Sequence, residues 1–488
     1  MKRFWIRTSL LIWGLILRIA VNGQTPDPFE ILFQKFIADT CFKHSVVALC
    51  LIDLESGTEL LSKNAQISLP PASVMKILTT GAALERLGPG YSYTTEFILD
   101  GMVISDTLFG DLVIRGNGDP TLGSSRFPGH ANSFEQWVQS CAGLIKSKNI
   151  RVIKGKIVAD ASCYRIPGVG ESWSYKDLGN YYGAGVYGLN IYDNTYRLVF
   201  KQNPEIGGLT KIESIIPEIP GLEMTNFVVS GPRGSGDQAY IFCAPFQLDA
   251  FVKGTIPAGN GTLEIKGSVP NPPLLAVQKI YRAINDSGID IMEEAEVFFN
   301  PYLYRNPEIL SSFRSPDMYE IIKVVNMESV NLYAEGIGQE LAALMGAASP
   351  GEAISQHWIE RGIDFSGCHV GDASGLSAEN AITAKAMVQI IEDLFKDPRL
   401  GSMFTNTLAT FGISGTVSQL LRNSPAKGMI LAKSGSINRV RNHAGIIITE
   451  KNGPKAFCIL TYNFHCSPRE VTGAISSFLE RLYFLCSE

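Results

Sequence analysis

Apolar, β-prone runs occur near both ends of this chain of 488 residues. The stretch SVVALCLIDLESGTELLSKNA, from Ser45 to Ala65, consists of two such runs around ESGT, which predicts a hairpin. Near the other end, MILAKSGSINRVRNHAGIIITE and AFCILTYN are apolar strands separated by the turn sequence KNGPK. Helical patterns follow the first strands and precede the last ones. We therefore expect an α/β domain in which the first strands pair with the last.

The region between these ends has a different character. From residue 91 to residue 298 it contains short strand patterns, many glycines and prolines, and few long helical patterns. Segments such as FGDLVIRGNGDPTLG and IRVIKGKIVADAS each indicate a strand followed by a turn. We expect residues 91–298 to form a β-rich insertion of two subdomains, and residues 24–90 and 299–488 to form one discontinuous domain.

The first 23 residues predict a secretory signal peptide. Three basic residues precede the apolar run SLLIWGLIL, and the small residues of AVNG stand just before Gln24. A membrane anchor is the alternative, but Arg18 leaves the run shorter than the roughly 20 apolar residues that a span needs. We expect export to the periplasm or cell envelope. Whether the mature protein associates peripherally with the membrane is left open.

Composition excludes several classes of function. With 45% hydrophobic residues, 18% charged residues and a net charge of −5, the chain lacks the basic surface that nucleic-acid binding requires. The nine cysteines form no CxxC pair, and none of the six histidines belongs to an HExxH pattern. We expect no metal site and no cofactor, and the cysteine pairing is left open because the number is odd.

The segment LPPASVMKILTTGAAL contains a candidate catalytic pair, Ser73 and Lys76. Side chains three residues apart on a helix share a face, so a neutral lysine amine could accept the serine proton. The helix N-terminus also offers backbone N–H groups to a developing negative charge. Alternatively, Ser73 caps the helix and Lys76 extends to solvent. The spacing alone is weak evidence, because it recurs in the turn sequence SPAK at Ser424.

Two later patterns strengthen the catalytic interpretation. MESVNLYAE contains Ser329 and Asn331 within a helical pattern, and LAKSGSI contains a Lys-Ser-Gly triplet that occurs only once in the chain. A glycine on a strand permits close approach of a substrate backbone. The triplet and the next residue are Lys433, Ser434, Gly435 and Ser436. An ordered set of SxxK, SxN and KSG is typical of serine β-lactamases and penicillin-binding proteins.

The chain resembles low-molecular-mass class C penicillin-binding proteins, the D-alanyl-D-alanine carboxypeptidases and endopeptidases, over nearly the whole mature sequence. Besides the three motifs, the resemblance includes GNGDPTLG, SWSYKDLGNYYGAG, LNIYDN, DASGLSAENAIT and the gap of 256 residues between Ser73 and Ser329. It implies an α/β fold class, in which a penicillin-binding, serine β-lactamase-like domain of sheet and helices carries inserted β-rich domains.

The resemblance also implies roles for the motif residues. Ser73 would be the acylated nucleophile and Lys76 its general base. Ser329 would help to pass a proton to the leaving amine, and Asn331 would contact the substrate. Lys433 would support the electrostatics that keep Lys76 neutral.

The remaining implied roles concern substrate binding. Ser434 and Ser436, on either side of Gly435, would bind the terminal carboxylate, and the backbone N–H groups of Ser73 and Ser436 would form an oxyanion hole. Asp177, in WSYKD, would contact the amino group of the diamino acid of the peptide. Three positions depart from the usual family pattern, which has threonine, an acidic residue and glycine where this chain has Ser434, Val330 and Ala373.

The function expected from these observations is that of an exported serine DD-peptidase acting on peptidoglycan stem peptides and inhibited by β-lactams. One alternative is a β-lactamase or esterase that uses the same site. Another is a catalytically silent wall-binding protein. The choice between carboxypeptidase and endopeptidase activity, the preferred diamino acid and the oligomeric state are left open.

Overall fold

A computed structural model describes residues 27–164 and 168–488. The predicted signal peptide, residues 1–23, lies outside the described residues. Within the two described ranges, no helix is long and apolar enough to cross a membrane.

The described residues form helices of 4 to 20 residues. The helices are α1 (Pro28–Ile37), α2 (Lys76–Arg86), α3 (Pro128–Ser147), α4 (Tyr175–Leu178), α5 (Pro272–Asp286), α6 (Met318–Glu328), α7 (Asn331–Met345), α8 (Pro350–Glu360), α9 (Ala384–Lys396), α10 (Gly401–Thr407) and α11 (Pro468–Ser487).

The strands alternate with these helices along the chain. They are β1 (Val46–Asp53), β2 (Glu59–Lys63), β3 (Thr94–Ile104), β4 (Thr107–Gly116), β5 (Val152–Ile153), β6 (Ile157–Asp160), β7 (Thr195–Lys201), β8 (Lys211–Ile216), β9 (Glu223–Gly231), β10 (Tyr240–Phe242), β11 (Asp249–Pro257), β12 (Thr262–Ser268), β13 (Asp290–Ile291), β14 (Glu296–Phe298), β15 (Pro307–Arg314), β16 (Ala409–Thr410), β17 (Ile430–Ile437), β18 (Val440–Ile447) and β19 (Lys455–Tyr462).

The sheet that carries the KSG motif joins both ends of the chain. Its six strands have the order β16-β17-β18-β19-β1-β2, and all neighbouring pairs are antiparallel. The first strand pairs with the last, from Val46 opposite Tyr462 to Asp53 opposite Lys455. The predicted pairing of the first strands with the last ones is therefore confirmed.

Helices cover both faces of this sheet. Because successive strand residues point to opposite faces, Ala48 and Cys50 of β1 alternate with Val47 and Leu49. The first pair belongs to a core built with α2 and α6 to α10, and the second to a core built with α1 and α11. A disulfide between Cys41 and Cys466 adds a covalent link on the side of α1 and α11. The central strands are consequently buried on both faces.

Three further sheets occupy the intervening chain. They are a seven-stranded sheet with the path β13-β5-β4-β3-β15, to which β6 and β14 are attached, and the three-stranded sheets β10-β11-β9 and β12-β7-β8. These sheets share a separate apolar core with α3 and α5. This arrangement fits the predicted fold class of a catalytic α/β domain with inserted β-rich structure. Strand β15 ends at Arg314 and pairs with β3 of the seven-stranded sheet. The residues at which the domains begin and end stay a prediction.

Candidate active site

Ser73 lies in a 3-10 turn, Ala72–Met75, that leads directly into α2. The residue before it, Ala72, has a φ of +47°, in the left-handed region that non-glycine residues rarely adopt. Such conformations persist where the surrounding structure enforces them, and they cluster at functional sites. Lys76 follows one turn later, and its Nζ is 3.0 Å from Ser73 Oγ.

The side chain of Lys76 has three hydrogen-bond partners. Its side chain is fully buried, and Nζ donates to Asn331 Oδ1 at 2.6 Å and to the Ser374 carbonyl at 2.7 Å. Both of these oxygens are acceptors only, whereas the Ser73 hydroxyl can also donate. A protonated ammonium satisfies all three oxygens as a donor, and a neutral amine donates to the two acceptors and accepts from Ser73 through its lone pair, so the geometry suits both forms that a general base must adopt. The orientation of Asn331 is fixed because its Nδ2 donates to the Tyr182 carbonyl at 2.7 Å.

Burial lowers the pKa of Lys76 to about 7. The nearby carboxyls of Asp372 and Glu335 act in the opposite direction, but burial is the larger effect. A substantial fraction of Lys76 is therefore neutral at physiological pH. Burial of Lys76 itself is the largest cause of this lowering, and the implied contribution of Lys433 to the electrostatics of the site stays a prediction.

Ser329 and Asn331 flank a break between two helices. Helix α6 ends at Glu328, Ser329 takes a left-handed conformation with φ of 65°, and Asn331 begins α7. The sequence predicted a continuous helical stretch here. The break brings both polar side chains to one site, where Ser329 Oγ accepts a hydrogen bond from Lys433 Nζ at 2.8 Å.

Lys433 is the second buried lysine of the site. Its side chain is fully buried, and Nζ also donates to the Ser434 carbonyl at 2.9 Å. Burial, followed by the charge of Lys76, holds the pKa of Lys433 well below its usual range. The site therefore contains two buried, weakly basic amines. Lys76 lies beside the Ser73 hydroxyl, and Lys433 lies beside the Ser329 hydroxyl.

Gly435 packs against the backbone around Ser73. A Cβ atom at this position would lie 2.6 Å from the Pro71 carbonyl oxygen and 3.1 Å from Ser73 N. The sequence interpretation assigned this glycine to close approach of a substrate. The structure gives it a further role, because strand β17 can approach the turn that holds Ser73 only without a side chain at residue 435.

The two serines around Gly435 are placed at the surface of the same strand. Ser434 Oγ is 2.7 Å from Thr416 Oγ1, and the exposed Ser436 accepts a hydrogen bond from the Arg441 guanidinium. Both hydroxyls are therefore close to further polar groups at the edge of the site.

The loop from Asp372 to Gly375 supplies one of the hydrogen-bond acceptors of Lys76, the carbonyl of Ser374. Glu335 accepts hydrogen bonds from Ser374 N at 2.8 Å and Ala373 N at 3.3 Å, and Asp372 accepts one from Gly375 N at 2.6 Å. These contacts fix the carbonyl that Lys76 binds. Ala373, where the family pattern has glycine, is fully buried in this loop.

Sequence reasoning missed Glu335 as a site residue. It lies four residues after Asn331, the spacing that places two side chains on one face of a helix. Glu335 is buried, and burial raises its pKa. The helical spacing of a carboxyl behind the SxN motif was the signal available in the sequence.

Asp177 is connected to Asn331 through a single residue, Tyr182. Its Oδ1 accepts a hydrogen bond from the Tyr182 hydroxyl at 3.1 Å, and the Tyr182 carbonyl in turn accepts from Asn331. Asp177 is half-buried, and burial raises its pKa. The structure thus brings Asp177 toward the same side of the site as Asn331.

The second SxxK copy is separate from this network. Ser424 caps a tight turn by accepting from Ala426 N at 3.0 Å, and Lys427 is exposed. The prediction that this copy forms a turn is confirmed. Across residues 27–164 and 168–488, no cluster of three or more His, Cys, Asp or Glu side chains is arranged to hold a metal ion.

Comparisons with known proteins show the family of this chain and its fold. The profile of the D-Ala-D-Ala carboxypeptidase 3 (S13) family matches residues 31–482. A D-alanyl-D-alanine carboxypeptidase of Actinomadura sp. (strain R39) is 24% identical over 461 residues, which cover 89% of this chain and 81% of the relative.

Solved structures share the fold. Penicillin binding protein 4 (dacB) from Haemophilus influenzae matches with a TM-score of 0.80 and 20% identity, covering 94% of this chain and 100% of that one. Its complex with a novel β-lactam matches with a TM-score of 0.74 and 20% identity, covering 94% and 99%. The family profile spans nearly the whole chain, and the chain therefore belongs to the D-Ala-D-Ala carboxypeptidase 3 (S13) family of serine peptidases.

Proposed function

We propose that this chain is an exported DD-peptidase that cleaves the D-alanyl-D-alanine terminus or the D-amino-acid cross-links of peptidoglycan stem peptides through an acyl-enzyme on Ser73. The observation that carries the proposal is the contact between Lys76 Nζ and Ser73 Oγ at 3.0 Å, made by a buried lysine whose pKa is lowered to about 7. A serine hydroxyl paired with a neutral base is the arrangement that nucleophilic catalysis requires.

The acylation step uses these groups in order. Ser73 Oγ attacks the carbonyl carbon of the scissile amide while its proton passes to Lys76 Nζ. The resulting oxyanion is stabilised by the backbone N–H groups of Ser73 and Ser436. The close packing of Gly435 on Ser73 supports this assignment, because it holds the strand and the nucleophile turn together.

Collapse of the intermediate needs a proton on the leaving amine. Lys76 gives up the proton it took from Ser73, and Ser329 Oγ, which accepts from Lys433 Nζ at 2.8 Å, relays it to the amine, so that Lys76 is neutral again before deacylation. The C–N bond breaks, the amine leaves with the proton, and the acyl group stays on Ser73 as an ester. Water then attacks the ester with Lys76 as the base, which releases the shortened peptide and restores the serine.

The same chemistry predicts inhibition by β-lactams. Attack of Ser73 on the lactam carbonyl opens the ring but leaves the amine tethered, so it does not diffuse away from the ester. The β-lactam complex of the Haemophilus influenzae protein, which shares the fold, supports this part of the proposal.

Asp177 is proposed to contact the ammonium group of the diamino acid of the stem peptide. Its partly buried carboxyl is held by the Tyr182 hydroxyl at 3.1 Å, on the side of the site next to Asn331. An Asp177→Asn variant should therefore lose affinity for peptides with a free side-chain amine, by about 10-fold or more, and not for N-acylated peptides.

Export is proposed from two features. The predicted signal peptide precedes the described chain, and Cys41 forms a disulfide with Cys466. Structural disulfides form in oxidising compartments such as the periplasm.

Release of D-alanine from purified muropeptides tests the function. Wild type should release D-alanine from pentapeptides, or separate cross-linked dimers, and Ser73→Ala should do neither. The matched variant Ser424→Ala, which alters the serine of the second SxxK copy, should keep the wild-type rate. Activity that persists at the wild-type rate in Ser73→Ala would contradict the proposal.

A further inference from the structure

Arg441 lies beside the two serines of strand β17. In the register of β17 and β18, Ser436 stands opposite Arg441 and Ser434 stands opposite His443. Residues directly opposite each other on antiparallel strands point to the same face of the sheet. One face therefore combines the hydroxyls of Ser434, Ser436 and Thr416 with a guanidinium group.

This guanidinium has no negatively charged partner among the described residues. Its Nη1 donates to Ser436 Oγ and, at 3.1 Å, to the carbonyl of Val440, and no carboxylate of the described chain lies within 4.0 Å. Arg441 is half-buried, and burial alone accounts for the lowering of its pKa. A guanidinium carries five N–H groups, so several donors remain free for another acceptor.

The neighbouring titratable groups add no negative charge. Burial lowers the pKa of His443 to about 3, so this imidazole is neutral at pH 7. Lys433 is the other basic group nearby, and it lies under the same strand with its Nζ on Ser329. The face is therefore electropositive or neutral, and it is lined with hydrogen-bond donors.

We propose that Arg441 binds the free carboxylate that neighbours the scissile amide of the substrate, together with Ser434 and Ser436. This inference rests on the proposed DD-peptidase function. An arginine forms a planar, bidentate pair with a carboxylate, which fixes orientation as well as position. Ser436 directly follows Gly435, whose backbone packs on the turn that holds Ser73, so a carboxylate bound by Ser436 and Arg441 is held at the segment of strand β17 next to Ser73.

The proposal narrows the class of substrates. A D-alanine terminus carries the required carboxylate, and so does a cross-link whose diamino acid has a free carboxylate next to the scissile amide. Peptides that are amidated at this position lack the charge and should be poor substrates. The residue therefore selects for the acid over the amide.

Steady-state cleavage of an N-acylated L-Lys-D-Ala-D-Ala peptide and of its C-terminal amide tests this selectivity. Wild type should prefer the acid. Arg441→Gln should lower kcat/KM for the acid by about 10- to 100-fold, the usual effect of a lost hydrogen bond to a charged group. Its kcat/KM for the amide should stay within about twofold of wild type, and Arg441→Lys should recover part of the loss through its charge.

A matched control separates local contact from overall charge. Arg439 lies in the same hairpin, but its guanidinium donates to the Phe464 carbonyl at 3.2 Å, away from Ser436. Arg439→Gln removes the same charge and should leave the preference for the acid unchanged. An equal loss for acid and amide in Arg441→Gln, or an unchanged preference, would overturn the proposal.

Binding to the Ser73→Ala protein gives a readout that does not depend on catalysis. Calorimetry with the same two peptides should show tighter binding of the acid, and the additional change Arg441→Gln should abolish the difference. Equal binding of acid and amide to Ser73→Ala would refute the role of Arg441 while leaving the DD-peptidase function standing. Acid-selective binding without wild-type cleavage would instead refute the function and retain the carboxylate site.

Discussion

Lys76 Nζ lies 3.0 Å from Ser73 Oγ, and its other two partners, Asn331 Oδ1 and the Ser374 carbonyl, only accept hydrogen bonds. The neutral form of Lys76 can therefore donate to these two oxygens and accept the Ser73 proton through its lone pair. Burial contributes in the same direction by lowering the pKa of Lys76 to about 7.

The first prediction concerns the pH dependence of acylation. The lowered pKa means that the neutral, basic form of Lys76 grows as pH rises through about 7. The second-order rate of labelling by a fluorescent penicillin should rise about tenfold per pH unit below that pKa and level off above it. A rate that is flat from pH 5 to pH 9 in a protein that stays folded would contradict the assignment of Lys76 as base.

A charge placed at residue 331 should shift this profile. Asn331→Asp introduces a carboxylate at the position now occupied by an oxygen 2.6 Å from Lys76 Nζ. An opposite charge at this distance commonly raises the pKa of a lysine by about 1 to 3 units. The labelling profile should move to higher pH accordingly. Asn331→Ala removes the hydrogen bond without adding charge, and its profile should not move to higher pH.

Gly435 should be intolerant of a methyl group. In Gly435→Ala the new Cβ would meet the Pro71 carbonyl oxygen at 2.6 Å and Ser73 N at 3.1 Å, so the strand or the nucleophile turn must shift. Misplacement of reacting groups by about 1 Å can cost about 100-fold in rate. We expect a loss of that order in penicillin labelling.

Gly473 provides the matched control for that substitution. It lies within α11, and a Cβ there would have no neighbour within 4 Å. Gly473→Ala should keep full labelling and gain roughly 0.5 to 1 kcal/mol in the free energy of unfolding. If both alanine variants are labelled at the wild-type rate, the contact at Gly435 does not position the nucleophile.

Glu335 should act by holding the loop that binds Lys76. Glu335→Ala leaves the buried N–H groups of Ala373 and Ser374 without their acceptor, which should cost about 1 to 3 kcal/mol in the free energy of unfolding. It also removes a carboxyl whose ionised form raises the pKa of Lys76, although burial raises the pKa of Glu335 itself to about 8, so only part of it is ionised near pH 7. The midpoint of the labelling profile should therefore move to lower pH.

An exposed glutamate controls for general effects on stability. Glu320→Ala, on the exposed surface of α6, should change neither the melting temperature nor the pH midpoint appreciably. A Glu335→Ala protein with the wild-type midpoint would show that this carboxyl supports the fold only.

The strands that form the catalytic sheet were predictable because their apolar runs are long and bounded by turn residues. The hairpin β1–β2 and the strand that carries Lys433 follow from these patterns. Helix α3 does not follow from the predicted β-rich character of residues 91–298, which rests on their many glycines and prolines. Its apolar residues nevertheless show helical spacing, at Phe134, Trp137, Val138 and Cys141.

The motifs predicted which residues meet, but not how the backbone brings them together. The break at Ser329 contains neither glycine nor proline, so no local signal marks the end of α6 there. A sequence motif likewise cannot predict the contacts made by the backbone carbonyls of Ser374 and Tyr182, because every residue has a backbone carbonyl. Such contacts depend on tertiary packing rather than on residue type.

Mass spectrometry of the protein after incubation with benzylpenicillin tests the central claim most directly. The account predicts a single covalent penicilloyl adduct, which peptide mapping locates on Ser73 and which is absent from Ser73→Ala. An adduct on another residue, such as Ser329 or Ser424, or no adduct on the folded wild-type protein, would contradict it.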